Sequence, residues 1–214
     1  MPIDFYFCVG SPPCNSVRLL AKALKLDLNM KTISIPKQEH MTPAYLKINP
    51  LHTIPAISDD GFTLAESRAI LSYLVEKYGK DDSLYPKDPK KRAVVNQRLY
   101  FDISTLYSNF AAYYFSVFVT GKFGAESHLT KLQEAYQVLD KYLDGQNWAA
   151  GDNLTIADMS LISSVTAMQA FDFDVSKYPN VIKWCENMKK LAGYDEIIVE
   201  GSEIIKNFYK SNKK

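Results

Sequence analysis

No stretch of this 214-residue sequence approaches the ~18 unbroken apolar residues of a membrane-crossing helix, so no bilayer span is expected. Charge of one sign is equally scarce. The 25 Lys and Arg against 24 Asp and Glu leave a net charge of +1, which gives no bulk attraction to nucleic acid or to an acidic membrane. The basic end, KNFYKSNKK, is short and reads as a solvated tail. Cysteine is sparse, with only Cys8, Cys14 and Cys185. An odd count, with no basic leader in MPIDFYFCVG, fits a reducing cytoplasm and argues against a disulfide framework. His40, His52 and His128 are scattered, and no His/Cys/Asp/Glu cluster has metal-ligand spacing, so no metal is expected. What remains is 47% hydrophobic and 23% charged, an ordinary globular balance with room for one large or two modest domains.

The first 78 residues alternate strand and helix patterns. Residues 3–8 are β-branched and aromatic and read as a strand. A turn with two prolines follows at 9–16, then a helical pattern from Val17. Residues 29–35 read as a second strand and 43–48 as a short helical piece. Two apolar runs around Asp59-Asp60-Gly61 read as a hairpin, because Asp-Gly supports the positive φ of such turns. From Glu66 an amphipathic helix runs to a glycine stop at Gly79. The order is βαβαββα, a small mixed sheet with helices over it.

Residues 79–88 are rich in Gly, Pro and charge and read as a linker. Beyond them strand signals vanish. Helical patterns cover 90–120, 126–143, a stretch from Thr155 to about Phe171, one opened by Pro179, and a last one over 195–209. Thr155 and Asp158 have capping-box spacing. Residues 89–214 therefore read as an all-helical bundle domain.

The most informative segment is residues 49–68. It sets Pro55 at a strand edge, then the hairpin, then Glu66-Ser67-Arg68 at a helix start. A strand edge pairs with a peptide backbone. A helix N-terminus attracts a carboxylate, because its first N–H groups are unpaired and its dipole is positive. Glu66 suits an ammonium, and Arg68 a charge-assisted contact. The layout fits a short acidic peptide such as glutathione. The plainer reading of Glu66 and Arg68 is a solvated first turn. Ser11-Pro12-Pro13-Cys14 lies between the first strand and first helix, where thioredoxin-like domains hold a redox cysteine pair. With serine leading, no disulfide forms there. A serine hydroxyl can donate to an incoming thiolate, or it can simply cap the helix. Cys14 reads as a core residue.

Taken together, SPPC, NPLHTIPAI and ESRAI, in this order and spacing, resemble the glutathione-binding domain of cytosolic glutathione transferases. LTIAD at 154–158 and the helical second part match as well, over essentially the whole chain. The resemblance is to the insect delta class first and the epsilon class next. It implies an α/β thioredoxin-like domain over 1–78, a linker over 79–88 and a helical domain over 89–214. It implies a cytoplasmic homodimeric enzyme with glutathione as co-substrate and no metal. Ser11 is then the residue that stabilises the glutathione thiolate. Ile54, beside a cis Pro55 and next to Thr53, pairs with the peptide main chain. Glu66 and Ser67 hold the γ-glutamyl end, His40 and His52 reach the glycine end, and Arg68 supports the site from a dimer-facing position.

Between Tyr100 and Phe123 nine of 24 residues are aromatic, more than a bundle seam needs. Tyr100, Phe101 and Phe115 read as core. Tyr107, Phe110, Tyr113, Tyr114 and Phe118 read as walls of an apolar pocket for a hydrophobic electrophile, covered by Phe208 and Tyr209. Detoxification of xenobiotics is the expected use, with dehydrochlorination or peroxide reduction as variants. Two other classes stay open: a non-catalytic carrier of hydrophobic ligands, and a thiol–disulfide oxidoreductase using Cys14.

Overall fold

The computed structural model of the protein describes residues 2–212; Met1, Lys213 and Lys214, the outer ends of the start and of the basic tail, lie outside the described residues. Strand β1 (Ile3–Phe7) buries every second residue, Ile3, Phe5 and Phe7, as strand alternation demands. It pairs in parallel with β2 (Leu28–Thr32) and antiparallel with β3 (Ala56–Asp59). β3 pairs antiparallel with β4 (Phe62–Ala65), giving the sheet order β2-β1-β3-β4. Helix α1 (Pro12–Leu24) is the crossover between the parallel strands. Short α2 (Pro43–Leu46) precedes β3, and α3 (Ser67–Tyr78) follows β4. The hairpin turn carries φ +51 at Asp60 and +84 at Gly61, as its Asp-Gly pair predicts.

Two boundaries differ from the sequence reading. α1 begins at Pro12 rather than Val17. Both prolines sit in the first turn, where a missing N–H has no partner to lose. β2 ends at Thr32 instead of running to residue 35.

The second part is helical, as its patterning indicates. Asp88 caps α4 (Pro89–Phe101), its side chain accepting from the Lys91 N–H at 2.9 Å. The helix continues to Gly121 through wider π-helical turns at Asp102–Tyr107 and Ala111–Phe115, with α5 (Ser108–Phe110) and α6 (Ser116–Thr120) between and after them. Such turns often mark functional positions, because they re-aim side chains. Then come α7 (Glu126–Tyr142), α8 (Ile156–Ala170), α9 (Pro179–Met188) and α10 (Glu200–Asn212). The last helix expected over 195–209 is thus a π-helical turn, Tyr194–Val199, followed by α10. Tyr100, expected in the core, is 68% exposed, on the opposite side of α4 from buried Val95 and Leu99. Phe101 and Phe115 do pack inside.

α8 is the axis of the helical part. Thr155 and Asp158 form the capping box, with the Thr155 N–H donating to Asp158 at 2.9 Å. The Asp158 carboxylate also accepts from the Ala149 N–H at 2.7 Å and the Trp184 indole at 2.9 Å. α1 packs on α8 and α3, so sheet and bundle share one continuous core. The segment between them is tied down: the Leu84 carbonyl accepts from the Ile156 N–H at 3.0 Å, and Tyr85 is buried. No helix among the described residues is long and apolar enough to cross a membrane.

Candidate active site

Strand β1 delivers the chain to the first functional position. After Phe7 the backbone turns through Gly10, at φ +79, and Ser11 becomes the N-cap residue of α1. Its N–H donates to the Cys8 carbonyl at 3.3 Å and its carbonyl accepts from the Asn15 N–H at 2.9 Å. The Ser11 side chain caps no helix N–H, although serine caps well. Cys14 is fully buried. Burial pushes its thiol up to about 12, against smaller opposing pulls from the Ser11 hydroxyl and the Cys8 backbone. At neutral pH it is a protonated core thiol, the wrong form for a nucleophile.

The second element is the loop before β3. Asn49, 2% exposed, donates through Nδ2 to the Thr53 carbonyl at 2.8 Å and to Thr53 Oγ1 at 3.0 Å. Its Oδ1 accepts from the Leu51 N–H at 3.1 Å. The Tyr45 hydroxyl donates to the same Thr53 carbonyl at 2.6 Å. This scaffold presents Ile54, whose bond to Pro55 is cis. Among the described residues the Ile54 backbone takes no hydrogen-bond partner, which leaves a free strand edge.

The third element is the start of α3. Glu66 stands at φ +67, ψ 104, a conformation L-residues rarely adopt, with its exposed carboxylate capping nothing. Ser67 is 3% exposed, and its Oγ accepts from Arg68 Nη1 at 2.9 Å. Arg68 is neither solvated nor turned outward, as the sequence suggested. It reaches into the helical part and donates to Asp102 Oδ2 through Nη2 at 2.6 Å and Nε at 3.2 Å. Ser160 Oγ donates to that same oxygen. Asp102 Oδ1 is buried and has no hydrogen-bond partner among the described residues. The guanidinium also lies 5.4 Å from the Tyr107 ring centroid, a cation–π contact.

These elements enclose a cleft of about 290 Å³ lined by Thr53, Ile54, Pro55, Glu66, Ser67, Arg68 and Tyr107, with Pro13 and Ile103. His40 and His52 do not line it, and their rings lie 6.3 Å apart. His40 Nδ1 is buried with no hydrogen-bond partner among the described residues. The cleft offers a carboxylate at one side, a helix N-terminus with a buried hydroxyl, an open backbone edge and an aromatic wall. That set suits a short zwitterionic peptide with an apolar second reactant beside it.

The aromatic wall is narrower than the sequence suggested. Tyr107 lines the cleft. Phe110, Tyr113 and Tyr114 are buried and line no part of it. Phe171 and Tyr209, from the facing helices, use their faces: Phe110 meets Phe171 edge-on at 5.2 Å, and Tyr114 meets it at 5.4 Å. Tyr113 stacks on Phe123 at 5.0 Å, and its hydroxyl donates to Glu126 at 3.1 Å. Phe118 packs on half-exposed Phe208 at 4.6 Å, at the open edge of the ring cluster. Sequence reading missed Asn49, Tyr45, Ile103, Asp102 and Ser160. Asp102 had a visible signal, a lone acid inside the aromatic run around Tyr100 and Tyr107; the others had none.

The glutathione S-transferase N-terminal domain profile matches residues 5–82, and the C-terminal domain profile of the same family matches residues 106–191. A delta-class glutathione transferase from Nilaparvata lugens superposes with TM-score 0.94 at 44% identity, covering 98% of this chain and 99% of the other. An epsilon-class glutathione S-transferase from the housefly Musca domestica gives TM-score 0.93 at 38% identity, covering 98% of each chain. A glutathione transferase homologue from Drosophila mojavensis, solved with bound glutathione, gives TM-score 0.91 at 36% identity, covering 99% of this chain and 97% of the other.

Proposed function

This chain belongs to the glutathione S-transferase family, and from that premise we propose that it conjugates glutathione to hydrophobic electrophiles with Ser11 as the residue that stabilises the thiolate. Glutathione is the co-substrate of the family and supplies the sulfur nucleophile. The observation that carries the proposal is the cleft itself. It gathers Thr53, Ile54, Pro55, Glu66, Ser67, Arg68 and Tyr107 from three separate segments, beside the α1 start that bears Ser11.

Each residue has a task its position supports. The Glu66 carboxylate, exposed and capping nothing, accepts the α-ammonium of the γ-glutamyl group. The Ser67 hydroxyl and the first N–H groups of α3 take the neighbouring carboxylate, with the helix dipole in favour. Ile54 pairs backbone to backbone with the peptide. His40 and His52 stand near the loop that would face the glycine end. Asp102 and Ser160 hold Arg68 and, through it, Ser67. Ser11 donates its hydroxyl proton toward the sulfur. A thiol with a pKa near ~8.5 is ionised to a few per cent at neutral pH, and a hydrogen bond to the anion raises that fraction. Rate then comes from thiolate stabilisation and from holding both reactants together. The electrophile lies against Tyr107 and Ile103, toward the edge formed by Phe118 and Phe208. A homodimer in the cytoplasm and the delta class complete the proposal.

The buried, protonated Cys14 counts against a thiol–disulfide oxidoreductase. Conjugation of glutathione to 1-chloro-2,4-dinitrobenzene, wild type beside Ser11→Ala, tests the proposal. The expected result is an active wild type and a mutant slowed about ten-fold or more with glutathione binding retained. Equal rates would remove the role given to Ser11. A wild type that binds glutathione and apolar dyes yet conjugates nothing would make the chain a carrier.

A further inference from the structure

The C-terminal helix α10 is not part of the cleft, yet it bears directly on the serine that serves it. It crosses the start of α1 through two glycines. Gly201 is buried so closely against Asn15 that a Cβ added to it would stand 2.3 Å from Asn15 Nδ2. Gly10, the residue before Ser11, has φ +79; a Cβ there would meet Ile204 Cγ2 at 3.1 Å and the Gly201 carbonyl at 3.3 Å. Asn15 is 5% exposed, so its short side chain has no open space to swing into. Its backbone N–H holds the Ser11 carbonyl at 2.9 Å. α10 therefore presses on Ser11 from both sides in sequence: through Ile204 on Gly10, and through Gly201 on Asn15. Farther along the same helix, Phe208 packs on Phe118 at 4.6 Å and Tyr209 on Phe171 at 4.5 Å. One helix thus spans the serine loop and the ring cluster beside the cleft.

We propose that Gly201 is a positioning residue for Ser11: its missing side chain lets α10 seat against Asn15 and Gly10, and that seating fixes where the Ser11 hydroxyl points. The proposal rests on the role given to Ser11 above. Backbone-to-side-chain contact this close has one geometry, because no methyl group fits between the two elements. A catalytic group displaced by even ~1 Å can lose up to ~100-fold in rate. Because the peptide-holding groups lie on α3 and the Ile54 loop, displacing α10 should spare glutathione affinity and damage only the thiolate.

The experiment measures three quantities in Gly201→Ala: kcat with 1-chloro-2,4-dinitrobenzene, the glutathione Kd by calorimetry, and the pKa of the enzyme-bound thiol from its ultraviolet thiolate absorbance. The expected result is kcat lowered about ten-fold, a raised thiol pKa and an unchanged Kd. Adding Asn15→Ala, which opens the space the new methyl needs, should restore both altered quantities. Ile204→Ala, which loosens the same seam without adding an atom, should raise the thiol pKa as well. A folded Gly201→Ala protein with wild-type kcat and thiol pKa overturns the proposal, as does a loss that Asn15→Ala leaves unrepaired. If Gly201→Ala does not fold, Ile204→Ala decides, and a wild-type thiol pKa there overturns it. Wild-type kinetics in Ser11→Ala would instead remove the role of Ser11, and this proposal with it.

Discussion

Ser11 and Cys14 stand three positions apart, and burial separates their chemistry. Cys14 lies in the core with its thiol pushed up to about 12, while Ser11 stays at the helix start with its hydroxyl off the helix N–H groups. Arg68 and Asp102 form the other decisive pair. Both are nearly or fully inside the protein, with side-chain exposures of 10% and 0%. A buried ion pair is weak evidence of net stabilisation, but breaking it leaves an uncompensated charge. Arg68→Ala should therefore cost about 3–5 kcal/mol of unfolding free energy in urea titrations. Removing both charges together, in Arg68→Ala/Asp102→Ala, should cost less than the sum of the two single changes. A simple sum would mean that the pair does not couple.

At the level of elements, two carboxylates act as fasteners. Asp59, at the end of β3, accepts from the Tyr73 hydroxyl at 2.7 Å, the Tyr78 hydroxyl at 2.7 Å and Lys77 Nζ at 2.8 Å, and so pins the hairpin to α3. Burial raises its pKa, but the lysine and the two tyrosine hydroxyls outweigh that and hold it below the usual aspartate value. A folded pKa below the unfolded one adds stability that is complete above the unfolded value near ~4 and is lost as pH falls through the folded value. The stability difference between wild type and Asp59→Asn should accordingly shrink as denaturation is repeated from about pH 6 down to about pH 2. A difference that stays constant would mean the carboxylate charge is not what fastens the hairpin. Asp158 fastens the start of α8. Asp158→Ala leaves the buried Ala149 and Thr155 N–H groups and the Trp184 indole N–H without their acceptor. At about 1–3 kcal/mol per unsatisfied buried donor, the loss should be about 3 kcal/mol or more, read by chemical denaturation. A loss below 1 kcal/mol, roughly that of a simple surface cap, would remove the network role.

On the scale of the molecule, sheet and bundle are joined by α1 packed on α8, by Arg68 reaching Asp102 and by the α10 seam over Gly10. The cleft lies where these meet, so its peptide side belongs to the first part and its apolar side to the second. An exposed Tyr100 on α4, with Phe62 at 49% exposure on β4, leaves large apolar side chains at the surface. Singly such residues are unremarkable, but they suit the homodimer proposed for the chain. Light scattering after size exclusion should give the mass of two chains, and a single-chain mass in the active enzyme would refute the dimer.

The sequence by itself determined the order of elements, because hydrophobic period and capping signals are local. It marked the βαβαββα start, the Asp-Gly turn and the Thr155–Asp158 capping box, all of which the fold contains. It also named most of the cleft, since Thr53 to Pro55 and Glu66 to Arg68 lie in one 20-residue stretch whose turn and helix-start chemistry is legible in place. Tertiary structure decided what depends on distant partners. Arg68 turned inward because Asp102, 34 positions away, was there to receive it. Phe110, Tyr113 and Tyr114 became core rather than pocket wall because Phe171 and Phe123 fill the space they face. An aromatic side chain serves either purpose equally well in the sequence. Only the opposing surface settles whether its face meets another ring or an open cleft.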